Sequence, residues 1–488
     1  MALPEQAFWS DSTTIMHQTS VGQMRGLESN GVAVFRGIPY AKAPLGDLRF
    51  AAPERRTPFT ETFDATQWGA TPQRHSPGFD IPEPVVPGED ILNLNVFAPS
   101  DALDGGASLP VLVWIHGGGY VAGCAVGAWY DGREFAADGV VVVSISYRLG
   151  FDGFGHLDGA PDNRGILDWI CALGWVRDTI SSFGGDPGNV TIAGQSAGGG
   201  AILSLLATEA ARGLFKRAWV MSGVLESTTT AQAALATAEF AQTVGVTPDI
   251  DGFASIADTD LQKAVMGMPS MLAFPPITGG KLFPHGIAEG IAAVSHDIDV
   301  VIGATADETL WNPAETALAH DDALAMLQSQ GVSAEAAALA LQHISERYEL
   351  LPGRILTEKL FRSVIPAVLE LRSDATARTW TYDYRWSPVK SGMALHCNEI
   401  PAFFGLAEDP TVTPVLGSVP AEVSDMFHGS ALRFAKGEAL DWQPATGGVL
   451  EPATGTCTID AEGSAPGDGF AAAAHLSALR REPASPSS

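Results

Sequence analysis

Cysteine is scarce in this chain: Cys124, Cys171, Cys397 and Cys457 are the four in 488 residues, far apart and without C-x-x-C spacing. That scarcity argues against a dense disulfide framework and against a thiolate zinc site, so no metal is expected. Basic residues are also few. Lys and Arg number 28 against 56 Asp and Glu, a formal net charge of −28, which opposes long-range attraction to nucleic acid or an anionic membrane. No apolar run reaches the length of a membrane span, and the opening MALPEQAFWSDSTT lacks a basic stretch followed by an apolar one. A cytoplasmic location is the resulting expectation. No segment repeats at a fixed period.

What is abundant is apolar sequence, 46% against 17% charged, enough for a sizeable buried core. Short β-like runs broken by Gly and Pro fill residues 20 to 60. From Glu89 onward strands alternate with helices: LNLNVFAP, VLVWIH, a glycine loop, VVVVSISYRL, the helix-like RGILDWICALGWVRDTISSF, then NVTIAG and the helix AGGGAILSLLATEA. Further on come the strand DVVIGA, helical sequence over 314–372 and the strand WTYDYRW. Such alternation predicts an α/β fold, a mostly parallel sheet covered on both faces by helices, with a small N-terminal β region. Length alone does not separate one large domain from two. Motif placement favours a single domain over 1–480 and a flexible tail over 481–488. From about residue 444 the chain is rich in Gly, Ala, Pro, Ser and Thr, an unpromising place for chemistry.

The strongest chemical signal is Gly194-Gln195-Ser196-Ala197-Gly198, directly after the strand NVTIA and directly before an apolar helix. A serine held out on such a tight turn is a nucleophile elbow, and its flanking glycines avoid collision with the neighbouring strand and helix. His116-Gly117-Gly118-Gly119-Tyr120 follows the strand VLVWI, where glycine lets backbone N–H groups approach an oxyanion. Gly118, Gly119 and Ala197 are accordingly the candidate oxyanion donors.

A serine hydroxyl needs a base, and the base needs an acid to fix its tautomer. In a strand–elbow–helix hydrolase the chain order is Ser, acid, His, which removes His17, His75, His116 and His156. His285, His296 and His320 precede or crowd the acid loop, and His343 and His428 fall in helical sequence. His396, after WTYDYRW and within GMALHCNEIPAFFG, fits best. For the acid, DVVIGA leads into TADETLW, offering Asp307 and Glu308; on chemistry alone either carboxylate serves.

FRGIPYAKAPLGDLRF, GEDILNLNVFAP, VWIHGGGY, SYRLGFDGFG, GWVRDTISSFGGDPGNVTIAGQSAGG, GATADE and ALHCNEIPAFFG occur in that order. With these motifs the chain resembles the type-B carboxylesterases, the family of cholinesterases, mammalian liver carboxylesterases and bacterial p-nitrobenzyl esterases, from about Val21 to at least Trp442. The resemblance implies the α/β-hydrolase fold with helical insertions, Ser196 as nucleophile, His396 as base and Glu308 rather than Asp307 as acid. It also implies Ser222 and Glu399 as supporting residues that orient the acid and the histidine. No cofactor is implied.

Two departures narrow the resemblance. Ile91 stands where many relatives have the Cys of an EDCL motif, so the N-terminal disulfide of secreted members cannot form. Gln195 stands where cholinesterases carry glutamate, and FDIPEPVVPG lacks their choline-binding tryptophan, which makes a cholinesterase an unfitting assignment. Tyr120, Trp129, Trp311, Phe403 and Phe404 lie near the motif loops and are candidates to line an apolar pocket for aromatic or medium-sized esters, with core packing as the plainer reading. The expected partner is a small-molecule ester, bound by a monomer or weak homo-oligomer. Carbamate or amide hydrolysis would use the same residues. A non-catalytic, cholinesterase-like binding protein is disfavoured because the nucleophile, base, acid and oxyanion glycines are all present.

Overall fold

β-Branched runs set the frame. In the computed structural model, residues 7–76, 81–270, 272–310, 319–329, 332–343, 351–445, 456–460, 463–466 and 470–477 are described. Nine strands precede the long helical insertion: β1 (Thr13–Thr19), β2 (Gly22–Ser29), β3 (Val32–Pro39), β4 (Phe63–Asp64), β5 (Asn93–Pro99), β6 (Leu109–Ile115), β7 (Val141–Ile145), β8 (Gly185–Gln195) and β9 (Arg217–Met221). After a separate two-stranded pair, β10 (Thr228–Thr229) and β11 (Ile277–Thr278), follow β12 (Asp299–Thr305), β13 (Thr379–Tyr384), β14 (Thr456–Asp460) and β15 (Gly463–Pro466). The main sheet has the order β1-β2-β3-β5-β7-β6-β8-β9-β12-β13-β14-β15, with β4 on β2. From β7 through β14 every pairing is parallel, whereas β1, β2, β3 and β5 form an antiparallel apron at the N-terminal side.

Both faces of the parallel part are buried, as near-continuous apolar strands require. Along β6, Val111, Val113 and Ile115 join one apolar layer while Leu112 and Trp114 join the other; on β12, Val300 and Ile302 face the first and Val301 the second. The helices Arg164–Thr179 and Ala197–Leu206 cover the first face. The helix Ala421–Lys436 covers the second through Val423, Phe427 and Phe434. The expected α/β-hydrolase architecture is thus the one observed.

The Gly- and Pro-rich end of the chain contributes to the sheet. β14 and β15 add to the sheet beyond β13, and the helix Ala471–Ser477 follows. The β-branched alternation of TCTID covers what would otherwise be an open parallel edge, a stronger influence than the surrounding Gly- and Pro-rich composition. The 481–488 tail lies outside the described residues.

The sequence motifs converge because of this topology. The glycine turn follows β6, Ser196 follows β8, Ser222 follows β9, Glu308 lies beyond β12 and His396 beyond β13. All are at the carboxyl ends of parallel strands, where open α/β sheets bind ligands.

Candidate active site

Ser196 is held at φ 61° and ψ −124° between β8 and the helix Ala197–Leu206. The conformation is rare for a side-chain-bearing residue and is imposed from both sides. Its N–H remains on the sheet, donating to the Met221 carbonyl at 2.9 Å, while its own carbonyl accepts from Gly200 N–H at 2.9 Å as the helix begins. A Cβ on Gly194 would lie 2.5 Å from the Gly198 carbonyl oxygen, and one on Gly198 only 2.1 Å from that of Ile115. Glycine at both positions is therefore a packing requirement of the elbow.

The glycine turn sits directly beside this serine. A Cβ on Gly117 would lie 3.1 Å from Ser196 Cβ. Gly118 and Gly119 adopt φ 101° and 64°, and the N–H groups of Gly118, Gly119 and Ala197 have no acceptor among the described residues. Ala197 opens a helix, whose first turn leaves N–H groups without intrahelical partners and carries the positive end of the dipole. His116 contributes no base: burial pushes its imidazole down to about 4, and its ring stacks on Tyr147 at 4.5 Å.

Glu308 and His396 are brought together by two loops stitched to each other. His396 Nδ1 hydrogen bonds Glu308 Oε2, and the second carboxylate oxygen accepts from Thr305 N–H at 2.9 Å. The His396 N–H also donates to the Glu308 backbone carbonyl at 3.3 Å. Asp307 points elsewhere. Its carboxylate pairs with Arg354 and accepts from Ala394 N–H at 2.9 Å, while its N–H donates to the Ala394 carbonyl at 3.0 Å. Asp307 joins the acid loop to the histidine loop, and Glu308 reaches the imidazole.

The electrostatics separate the two buried glutamates. Burial alone would lower the His396 pKa, but the Cys397 sulfur and the Glu308 carboxylate lift it well above 6.5. Burial also raises the Cys397 thiol above 9. Glu399 is pushed up to about 8 by burial and by the charge of Glu308; one oxygen accepts from Ser222 Oγ at 3.1 Å. At neutral pH Glu399 thus holds its proton.

Around His396 lie contacts that the motifs did not reveal. Gln195 Nε2 is 3.4 and 3.3 Å from the two ring nitrogens, and its Oε1 accepts from the Cys397 thiol at 3.3 Å. The Phe361 ring packs 4.7 Å from the imidazole. Phe361 sits on a π-helical turn, Thr357–Arg362, whose Arg362 donates to the Thr305 carbonyl at 3.0 Å and pairs with Asp383 at 2.7 Å. That turn therefore supports the same residue, Thr305, whose N–H holds Glu308. The Ser196 hydroxyl makes no hydrogen bond to His396 among the described residues; catalytic contacts are commonly looser before substrate binds.

With this arrangement in view, the comparisons with known proteins are specific. The carboxylesterase family model matches residues 13–439. The chain belongs to the carboxylesterase family. It is 35% identical over 458 residues to the para-nitrobenzyl esterase of Bacillus subtilis (strain 168), covering 87% of this chain and 91% of that protein. Phenmedipham hydrolase of Pseudarthrobacter oxydans is 30% identical over 464 residues, 86% of this chain and 89% of its own. Among solved structures, a thermophilic PNB esterase superposes with a TM-score of 0.82 at 32% identity, covering 93% of this chain and 97% of the other.

This carboxylesterase is a carboxylic-ester hydrolase. Four of the five aromatic residues expected to line its pocket are core instead. Tyr120 packs against Phe154 at 4.8 Å and near Trp169; Trp129 donates its indole N–H to the Thr411 carbonyl at 3.4 Å. Phe403 and Phe404 are enclosed by Trp114, Phe135 and Trp219. Each is at most 1% exposed, which leaves no surface for a substrate. Trp311 lies outside the described residues. Among the described residues no helix is long and apolar enough to cross a membrane, and no cluster of three or more His, Cys, Asp or Glu is arranged to hold a metal ion.

Proposed function

We propose that the enzyme hydrolyses esters through an acyl-enzyme on Ser196, with His396 as general base and acid and Glu308 fixing the histidine. His396 Nε2 takes the hydroxyl proton as Oγ forms a bond to the ester carbonyl carbon. The negative charge on the carbonyl oxygen is met by the N–H groups of Gly118, Gly119 and Ala197. The imidazolium returns the proton to the departing alkoxide as the carbon–oxygen bond breaks. Water, deprotonated by the same histidine, then attacks the acyl group, and Ser196 leaves as the proton returns to it.

The observation that carries this reading is the strained Ser196 backbone at a helix N-terminus, next to a Gln195 whose amide contacts the very imidazole that Glu308 pairs with. Ser222, through Glu399, supports the same loop. For substrates, likeness to the para-nitrobenzyl esterase favours aryl and benzyl esters of modest size. The core aromatics lend that preference no support. Absence of a disulfide among the four cysteines fits action in a reducing, cytoplasmic setting on small molecules.

The test is hydrolysis of p-nitrophenyl butyrate by wild type and Ser196→Ala. Loss of activity to the uncatalysed rate is expected in the variant, and retained turnover would remove Ser196 from the mechanism. One aryl scaffold offered as ester, carbamate and amide reads the leaving-group preference, with the ester expected to be turned over fastest.

A further inference from the structure

An oxyanion hole made of glycine backbone has a positional problem. Gly118 and Gly119 occupy conformations that glycine enters and leaves cheaply, yet their N–H groups must stay within a few tenths of an ångström of where the oxyanion forms. Part of the restraint is internal, since Val121 and Ala122 N–H both donate to the Gly118 carbonyl at 3.0 and 2.9 Å. The rest comes from a distant stretch of chain. Gly123 closes the turn so tightly that a Cβ there would lie 2.5 Å from both the Gly117 oxygen and His116 Nδ1. Fixing Gly123 therefore fixes the start of the glycine turn.

What fixes Gly123 is Gln73, a polar side chain only 1% exposed. Its Oε1 accepts from Gly123 N–H at 2.9 Å, and its Nε2 donates to the carbonyls of Glu83 and Pro84 at 3.2 and 2.9 Å. Both amide hydrogens and the oxygen are thus engaged on three backbone groups. Beside it, Cys124 Sγ donates to the Pro84 carbonyl at 3.7 Å, and Thr71 exchanges hydrogen bonds with Val86.

Glu83 adds a fourth tie. The Tyr130 hydroxyl lies 2.6 Å from Glu83 Oε1 and 2.7 Å from the Cys124 carbonyl. A hydroxyl has one hydrogen, so both bonds stand together only when Glu83 is protonated and donates to the tyrosine oxygen. Although the residue as a whole is half-buried, burial of its carboxyl pushes the pKa up to about 7, in keeping with that geometry.

We propose that Gln73 is a positioning residue for the oxyanion donors, acting through Gly123, with the Glu83–Tyr130 pair as the second point of the same clasp. The inference rests on Gly118 and Gly119 being the oxyanion donors.

The test uses the full chain carrying Gln73→Ala, Tyr130→Phe or Glu83→Gln. A misplaced donor is felt in the transition state and scarcely in the bound ester, so Gln73→Ala should lower kcat about 10- to 100-fold with KM within about threefold. Affinity for an aryl trifluoromethyl ketone, whose adduct carries the oxyanion, should fall in the same ratio as kcat/KM. Tyr130→Phe should shift both in the same direction by less, and gives the answer should Gln73→Ala fail to fold. Glu83→Gln, which retains a donor toward Tyr130, should stay within about twofold of wild type. Unchanged kcat in both Gln73→Ala and Tyr130→Phe, or a rise in KM alone, overturns the proposal. Hydrogen exchange of the 116–124 amides needs no turnover: faster exchange in Gln73→Ala supports the clasp, and unchanged exchange refutes it. Failure of the Ser196 reading would instead appear as turnover surviving Ser196→Ala.

Discussion

Two adjacent carboxylates, Asp307 and Glu308, occupy the acid loop, and their exchange for amides separates a catalytic group from a stitch. Glu308 is wholly buried and uses both oxygens, one on His396 Nδ1 and one on Thr305 N–H. In Glu308→Gln the amide oxygen stays on Thr305, which turns the NH2 toward Nδ1 and forces the hydrogen of the neutral imidazole onto Nε2. That tautomer cannot accept the Ser196 proton, and kcat should fall by about 10⁴, the size known for such an exchange in a serine protease triad. In Asp307→Asn the amide oxygen can keep the Ala394 N–H, and what is lost is the charge of a largely buried pair with Arg354. The expected cost is about 1–2 kcal/mol of stability, with kcat within about tenfold of wild type. Hydrolysis of p-nitrophenyl butyrate, normalised to titrated active sites, and urea denaturation measure the two effects. A larger kcat loss in Asp307→Asn than in Glu308→Gln would refute the assignment of the acid.

Further outcomes follow from the charges. Because the Cys397 sulfur and Glu308 together raise the His396 pKa, the histidine must lose its proton above 6.5 to act as base, so the acid limb of the kcat/KM profile should have its midpoint above pH 6.5; a midpoint at or below that value contradicts the pairing. Glu399, at about 8 against an ordinary 4.5, binds a proton in the folded chain that the unfolded chain has released. Its contribution to stability accordingly declines as pH rises from 4.5 and levels off above 8. Glu399→Gln should flatten that decline in denaturation curves while keeping kcat at pH 7 within about tenfold; an unaltered pH dependence would show that folding does not raise the Glu399 pKa.

Much of the site was legible in the sequence because its demands are local. The elbow needs glycine two residues either side of Ser196 for reasons of backbone contact, and the proposed oxyanion turn after β6 needs glycine for its positive φ. His396 was the choice left by chain order together with elimination of the histidines that precede or crowd the acid loop or fall in helical sequence. The acid was not decidable from chemistry. What distinguishes Glu308 from its neighbour is an Ala394 N–H 87 residues from Asp307, a pairing that exists only once β12 and β13 lie side by side. The aromatic residues misled because proximity to a motif does not fix side-chain direction: Phe403 and Phe404 close the short helix Ile400–Phe403, with both rings in the second apolar layer. The terminal strands were hidden by their composition, and Gln73 by the 50 residues separating it from the glycine it holds.

The most direct measurement is the covalent one. Wild type and Ser196→Ala treated with an aryl phosphonofluoridate, then digested and mapped by mass, should give one adduct per wild-type chain, on the peptide carrying Ser196, and none on the variant. Modification at another serine with parallel loss of ester hydrolysis, or full labelling of Ser196→Ala, would contradict Ser196 as the nucleophile.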